Sequence, residues 1–410
     1  MPFPHLHRGR ALPPKWLVIA CLALPQIAET VLAPGLPSVA RAWQLSAADT
    51  QWVMSLFFLG FSAGVLLWGL VADRWGRRPA LMLGLTLALA GTAWAILAPS
   101  YAALLAGRVV QALGMATCSV TTQTLLRDRL SGAPLTQYFV TIGMVLAWSP
   151  AVGPMLGQLA SDLAGYRGAL SIAAVSVSVL ISCGLCLVPE TRPPAIDTTP
   201  MLTVARRTLA DLALWRAALL VAGLNALVFS FYAAGPFMVG HLPGLGFGWI
   251  GLAVALAGSL GAALNRRLPA SVGTEPRVRY GLLAVLAGAL GQLVLVLISP
   301  HPGIGWAFAA LPLFLGFGLA IPNILAPALR DYASCLGRAG ALFGVAYYSM
   351  LGLALAASAA LPFDTPVPLS VAWSLLAAAM LAIHRGRIAE EAAKRAISPS
   401  ARHDALRSRT

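Results

Sequence analysis

Two charged side chains sit where a charge is expensive. Among 14 acidic residues only Glu29 falls inside a long apolar run, and among 28 basic residues only Arg108 does so. A charge within a bilayer-length apolar segment costs at least ~2.5–3.5 kcal/mol on insertion scales, so such residues are usually partnered and functional. A carboxyl in that setting can take up and release a proton, while a guanidinium keeps its charge and shapes the field around it. The histidines do not compete for the proton role, because His5, His7, His241, His301, His384 and His403 lie in loops, tails or at the edge of a run. No Walker-type phosphate loop, HExxH helix or Ser/His/Asp constellation is present. ATP-driven pumping by this chain alone is thereby excluded, an enzyme is not expected, and no cofactor or metal site is implied.

The elements that must position these residues are membrane helices. The chain has 410 residues, is 59% hydrophobic and 10% charged, and has a mean hydropathy of +0.80. Apolar runs of about 20 residues suit α-helices, whereas barrel strands would give alternating runs of about ten. Twelve spans are expected at 16–34, 52–71, 79–98, 102–124, 136–157, 168–188, 217–238, 249–265, 280–299, 304–327, 340–361 and 367–384. The fold class is therefore all-α integral membrane, in two six-helix halves. Residues 1–188 form the first half, 189–216 a polar linker, 217–384 the second half and 385–410 a tail. Met1 to Lys15 and the first run, which contains Pro25, Gln26 and Glu29, read as a retained helix rather than a cleaved leader.

The net charge of +14 is scattered among short loops and forms no single patch, which argues against nucleic acid as a partner. Assigned to alternate sides, nearly all basic residues fall together; only Arg41 and Arg167 lie opposite, with Arg108 inside a span. The positive-inside rule then places both termini in the cytoplasm. Cys183 and Cys186 have CxxC spacing within a continuous apolar helix, which reads as packing rather than redox chemistry.

Depth links the two intramembrane charges. Glu29 lies about five residues before the exit of span 1 at Pro34, and Arg108 about six residues into span 4, so both should sit some ~8–9 Å below the same surface and could meet. Arg108, Gln111, Met115, Ser119 and Thr122 form one helical stripe, polar enough to line a cavity. Asn225, Phe229, Tyr232 and Pro236 share a face of span 7 and serve either as a cavity wall or as helix packing. Asn323, between Pro322 and Pro327, is either a hinge hydrogen bond or a ligand contact.

The loop between spans 2 and 3 carries a dense charge cluster. Gly69, Ala72, Asp73, Arg74, Gly76, Arg77 and Arg78 match the pattern G-x-L-A-D-R-x-G-R-R/K, with Val71 where Leu is usual, and so resemble the corresponding loop of major facilitator superfamily transporters. Leu104, Arg108, Gln111 and Gly114 resemble a second motif of that superfamily, with Ala112 replacing a glycine. Gly153, Pro154 and Gly157, after Pro150, resemble the G-P-x-x-G motif associated with antiporters. Within the superfamily the chain is most similar to the Bcr/CflA-like drug/proton antiporter group. That group usually has Asp rather than Glu29, one residue nearer the exit. Arg338-Ala339-Gly340 also matches the group's step into helix 11.

The resemblance implies a cytoplasmic gate at Gly69, Asp73, Arg74, Gly76, Arg77 and Arg78, with Asp73 at a helix N-terminus, where the dipole favours a carboxylate. Asn265-Arg266-Arg267-Leu268 lacks the Asp and Gly of a second gate copy, so the lock should be asymmetric. It further implies proton coupling through Glu29 and Arg108 and a substrate cavity built from Gln26, Gln111, Met115, Asn225, Phe229 and Tyr232. The expected protein is a monomeric, multi-pass transporter of the bacterial inner membrane that exports small, largely apolar drugs against protons. Export of an endogenous metabolite such as a siderophore or amino acid, and a non-transporting membrane sensor, are the alternatives.

Overall fold

The computed structural model describes residues 12–130, 134–135, 138, 149–193, 201–239, 246–269, 271–299, 303–361 and 366–397, side chains excepted at 149–151, 333–334 and 387–397. Among them, all regular structure is helical, and eleven segments are long and apolar enough to cross a membrane. We number the helices α1 (Lys15–Thr30), α2 (Trp52–Trp75), α3 (Arg77–Ile96), α4 (Tyr101–Arg129), α5 (149–163), α6 (166–187), α7 (Leu212–Met238), α8 (Phe247–Arg267), α9 (Thr274–Ile298), α10 (Leu311–Ala328), α11 (Leu336–Ala359) and α12 (Val367–Ile397). The first part of the expected fifth span, through residue 148, lies largely outside the described residues. Its remainder runs into the sixth as one helix, Ser149–Leu187, broken only at Ala164 and Gly165. Gly165 has φ of 59°, a conformation that only glycine adopts without strain.

Span 1 does not leave the helical state at Pro34. A 3-10 turn, Ala33–Gly35, and a short helix, Leu36–Trp43, carry it on to Trp43. Both prolines occupy the first turns of these pieces, where the missing N–H has no helical partner to lose. Val31, Leu32, Ala33, Leu36 and Val39 are fully buried as a result. Glu29 is therefore farther from the end of its segment than the Pro34 exit implied. Helix α7 starts early, at Leu212, capped by the Asp211 carboxylate, which accepts from Ala213 N and Leu214 N. Trp215 and Arg216, assigned above to the linker, belong to its first turns.

Small residues let the helices touch backbone to backbone, as membrane packing without a hydrophobic driving force requires. Cβ atoms at Gly60 and Gly64 of α2 would fall on the carbonyl oxygens of Val109 and Leu113 in α4. Gly91 of α3 meets the backbone of Gln111 in α4, and Gly84 of α3 the side chain of Thr117. Gly261 of α8 and Gly281 and Gly288 of α9 repeat the arrangement against α10. These two tight groups are joined along two seams. In the α2–α11 seam, Ser55 Oγ donates to Gly352 O at 2.7 Å, and Ser62 Oγ lies 3.1 Å from Val345 O and 2.8 Å from Ser349 Oγ. In the α5–α8 seam, Gly248 and Gly251 admit the ring and backbone of Pro154.

This packing makes Gly64 a stability determinant. Gly64→Val is expected to lose about 1–3 kcal/mol through overpacking, read as a lowered Tm of the detergent-solubilised protein. At Gly69 a Cβ would meet nothing within 4 Å, so Gly69→Ala should leave Tm unchanged or raise it.

Candidate functional site

A cavity of about 450 Å³ lies between the two helix groups, within the range of small-molecule sites. Helix α1 contributes Leu22, Pro25, Gln26, Glu29 and Thr30; α7 contributes Asn225, Phe229 and Tyr232. Phe61 of α2, Ser119 of α4, Phe314 and Phe317 of α10, and Tyr347 and Tyr348 of α11 complete much of the wall. The opposite end is packed shut. Phe58 and Phe229 have ring centroids 4.6 Å apart, and Ser358 Oγ donates to Gln51 Oε1 at 2.8 Å.

Among the described residues, Glu29 is the only charged side chain in this wall. It is buried, and it makes no hydrogen bond and no ion pair within 4 Å among the described residues. Arg108 lies behind the wall, fully buried. Its Nη1 donates to Gln111 Oε1, and its guanidinium carbon stands 4.3 Å from the centre of the Phe57 ring. The remaining nitrogens, Nε and Nη2, have no hydrogen-bond partner. Glu29 and Arg108 thus act on each other through space across poorly polarisable surroundings, without direct contact.

The span 4 stripe is divided. Ser119 reaches the cavity. Gln111 instead turns its amide to Thr92 Oγ1 at 2.8 Å, and Met115 is packed in the apolar core, so neither stands in the wall. Of the span 7 face, Asn225, Phe229 and Tyr232 line the cavity, whereas Pro236 does not. Asn323 Nδ2 donates to Leu319 O at 2.8 Å and to Asn265 Oδ1 at 2.9 Å. Gly153 and Gly157 face α1, where Cβ atoms would strike Thr30 and Val31, the residues just after Glu29. The side chain of Pro150 lies outside the described residues.

Sequence reasoning missed Tyr347 and Tyr348. Their ring centroids are 4.1 Å apart, and Tyr348 packs against Phe61 at 4.7 Å. Two adjacent hydroxyl-bearing rings in the middle of an apolar run were the available signal.

The charged loop is organised around Arg77, which is buried although basic. Its Nε donates to Asp128 Oδ2 at 2.8 Å and its Nη2 to Asp128 Oδ1 at 3.3 Å, a two-pronged pairing that only Arg can make. Nη1 donates to Asp73 Oδ1 at 3.0 Å and to Ala72 O at 2.7 Å. Asp73 therefore occupies the last turn of α2, not a helix N-terminus. Arg77, four residues on, supplies the stabilisation that a dipole would have given.

The acid at the N-terminus of α3 is Glu190, which sequence reasoning assigned only to the linker. It accepts from Arg77 N at 2.9 Å and Arg78 N at 3.1 Å, and also from Thr191 N and Arg192 N. Gly76, at φ of 107°, makes room, since a Cβ there would strike Glu190 Oε2. The equivalent loop between α8 and α9 is built differently, with Glu275 at the start of α9 lying 3.6 Å from His384 Nε2. Arg277 binds the carbonyl oxygens of Asn265, Leu268, Pro269 and Val272 and also Asn265 Oδ1.

The sequence profile of the Major Facilitator Superfamily matches residues 18–359. The chain belongs to that superfamily. It is 27% identical over 353 residues to an uncharacterized transporter of Rickettsia bellii, covering 82% of this chain and 87% of that one. Multidrug resistance protein D of Escherichia coli is 26% identical, covering 84% and 88%. A chloramphenicol resistance protein of Pseudomonas aeruginosa is 27% identical, covering 84% and 81%. The crystal structure of a D-xylose-proton symporter superposes with a TM-score of 0.74 at 12% identity, covering 90% of this chain and 96% of that one, which shows the fold. This chain is thus a multi-pass membrane transporter of the major facilitator fold, not an enzyme.

Glu190 gives this superfamily member a testable pH signature. Burial works against its charge, but the backbone donors of Arg77, Arg192, Arg78 and Thr191 outweigh burial and hold the carboxyl below its ordinary value. A carboxyl depressed in the folded state stabilises fully above its unfolded value and loses that contribution as pH falls through the folded one. Glu190→Ala is expected to cost about 1 kcal/mol at pH 7, as for other lost caps. In thermal unfolding, the gap to wild type should shrink as pH is lowered below the ordinary glutamate range.

Proposed function

We propose that this transporter is a proton-coupled antiporter that exports small, largely apolar compounds across a bacterial inner membrane. The observation that carries this reading is Glu29, which among the described residues is the lone charge in an aromatic cavity wall and has no bonded partner. A carboxyl so placed can be occupied by a proton or exposed to an incoming ligand, and competition between the two is the minimum requirement for exchange. Arg108, held by Gln111 and Phe57 behind the wall, adds a fixed positive field without neutralising the site by contact.

In this reading the chain has two six-helix halves, 1–188 and 217–384, with the linker 189–216 and the tail 385–410. Both termini and the arginine-rich loops face the cytoplasm. The cavity lies toward that end, and the packed Phe58–Phe229 contact closes the other, which suits loading from the cytoplasmic side. The halves rock about the α2–α11 and α5–α8 seams. Gly153 and Gly157 let α5 lie directly against α1 beside Glu29, so that movement of α5 would be transmitted to the proton site. The charges at Asp73, Arg74, Arg77 and Arg78, with Gly69 and Gly76, gate the cytoplasmic end. The resistance-protein relatives support drugs as substrates, and a monomer suffices because the cavity is built from one chain.

Glu29→Gln is expected to abolish export driven by an imposed pH gradient in membrane vesicles, with chloramphenicol as the first probe, while folding stays intact. Unchanged export by this variant would sink the mechanism. Asp73→Asn should slow turnover and leave equilibrium substrate binding nearly unchanged, because Asp73 is not in the cavity wall and lies ~18 Å along α2 from Phe61, which is. A large loss of binding would place the gate wrongly.

A further inference from the structure

The segment between α6 and α7 contains a ten-residue helix, Met201–Ala210, with the sequence MLTVARRTLA. Its two sides differ sharply. Val204 and Thr208 are buried against the protein. Arg207 on one flank donates to Asp331 O at 2.8 Å and lies 4.6 Å from the Tyr332 ring centre, which ties the helix to the 3-10 segment Arg330–Cys335 between α10 and α11. On the side turned away from Val204 and Thr208, Leu202, Arg206 and Leu209, at positions i, i+4 and i+7, form one strip. Leu202 is 62% exposed and Leu209 is 65% exposed. Exposed leucines beside a free-standing arginine, on a helix that carries no acid, make a poor water-facing surface.

The level of this helix in the molecule says what covers the strip. Trp215 Nε1, in the first turns of α7, donates to Leu209 O at 3.1 Å. The same end of the bundle carries Lys15 beside Trp16, Arg74 beside Trp75 and Arg279 beside Tyr280, each aromatic being about half exposed. Pairs of basic and aromatic residues at helix ends mark the headgroup layer of a bilayer. The linker helix is thus fastened to that layer at its C-terminal end, and its strip has the composition of a short interfacial helix.

We propose that Met201–Ala210 is a binding surface for acidic phospholipid, with Leu202 and Leu209 in the acyl boundary and Arg206 on the headgroup phosphate. The lipid would hold the linker in the membrane plane, so that the connection between the two helix groups is set by membrane charge as well as by protein contacts. This proposal is independent of what the cavity transports.

The test is hydrogen exchange of the amides of residues 201–210 in the full-length protein, reconstituted in nanodiscs of phosphatidylcholine alone or with phosphatidylglycerol. Exchange is expected to slow by about tenfold or more in the acidic discs. That protection should be lost in R206Q and in a Leu202→Ser/Leu209→Ser double variant, with α4 amides serving as the unchanged internal reference. Inorganic phosphate added to phosphatidylcholine discs should not reproduce it. Equal exchange in both discs, full protection by free phosphate, or protection that survives in R206Q would each overturn the assignment.

Discussion

The structure depends on one unresolved charge. Glu29 sits in a wall of aromatic and aliphatic side chains, and nothing in the described protein bonds to it. A buried ionised carboxylate without partners is costly, so the group must be neutralised by a proton or by a ligand. In the proposed exchange, the surrounding residues isolate that choice. Arg108 is kept off the carboxyl by its bond to Gln111 and its stacking on Phe57. Had Arg108 paired directly with Glu29, the carboxylate would be satisfied by protein alone, and the proposed exchange would lose its basis.

Close glycine contacts supply the rigidity that a two-state machine requires. Within each helix group, backbones approach to the limit that Cβ atoms would forbid, so α2–α4 and α8–α10 can move as blocks. Between the groups, the α2–α11 seam is held by serine hydroxyls on carbonyl oxygens. Such contacts are individually worth about 1 kcal/mol and can be exchanged. The charged loop does comparable work at the helix ends, where Arg77 ties Asp73 of α2 to Asp128 of α4 and Glu190 caps α3.

Most of the fold was legible in the sequence because membrane spans are written in composition. Twenty-residue apolar runs and one-sided arginines leave little freedom, and the helix order follows. Glu29 was legible for the same reason, since a lone acid in a span cannot be hidden. Other features were not, and three show why. The continuation through Pro34 and Pro37 was missed because prolines in first turns cost nothing, although elsewhere they end helices. Glu190 was missed because the N–H groups it caps, those of Arg77 and Arg78, lie more than a hundred residues away. The inward turn of Gln111 depends on Thr92 of a neighbouring helix, which no periodicity within α4 records.

The decisive question is whether Glu29 itself changes protonation in the working pH range. Infrared difference spectroscopy between acid and alkaline samples of the purified, lipid-reconstituted protein answers it without a known substrate. A protonated-carboxyl band that appears and disappears with pH in the wild type, and is absent in Glu29→Gln, is the expected result. The same band persisting unchanged in Glu29→Gln, or no titrating carboxyl band in the wild type, would contradict the role assigned to this residue.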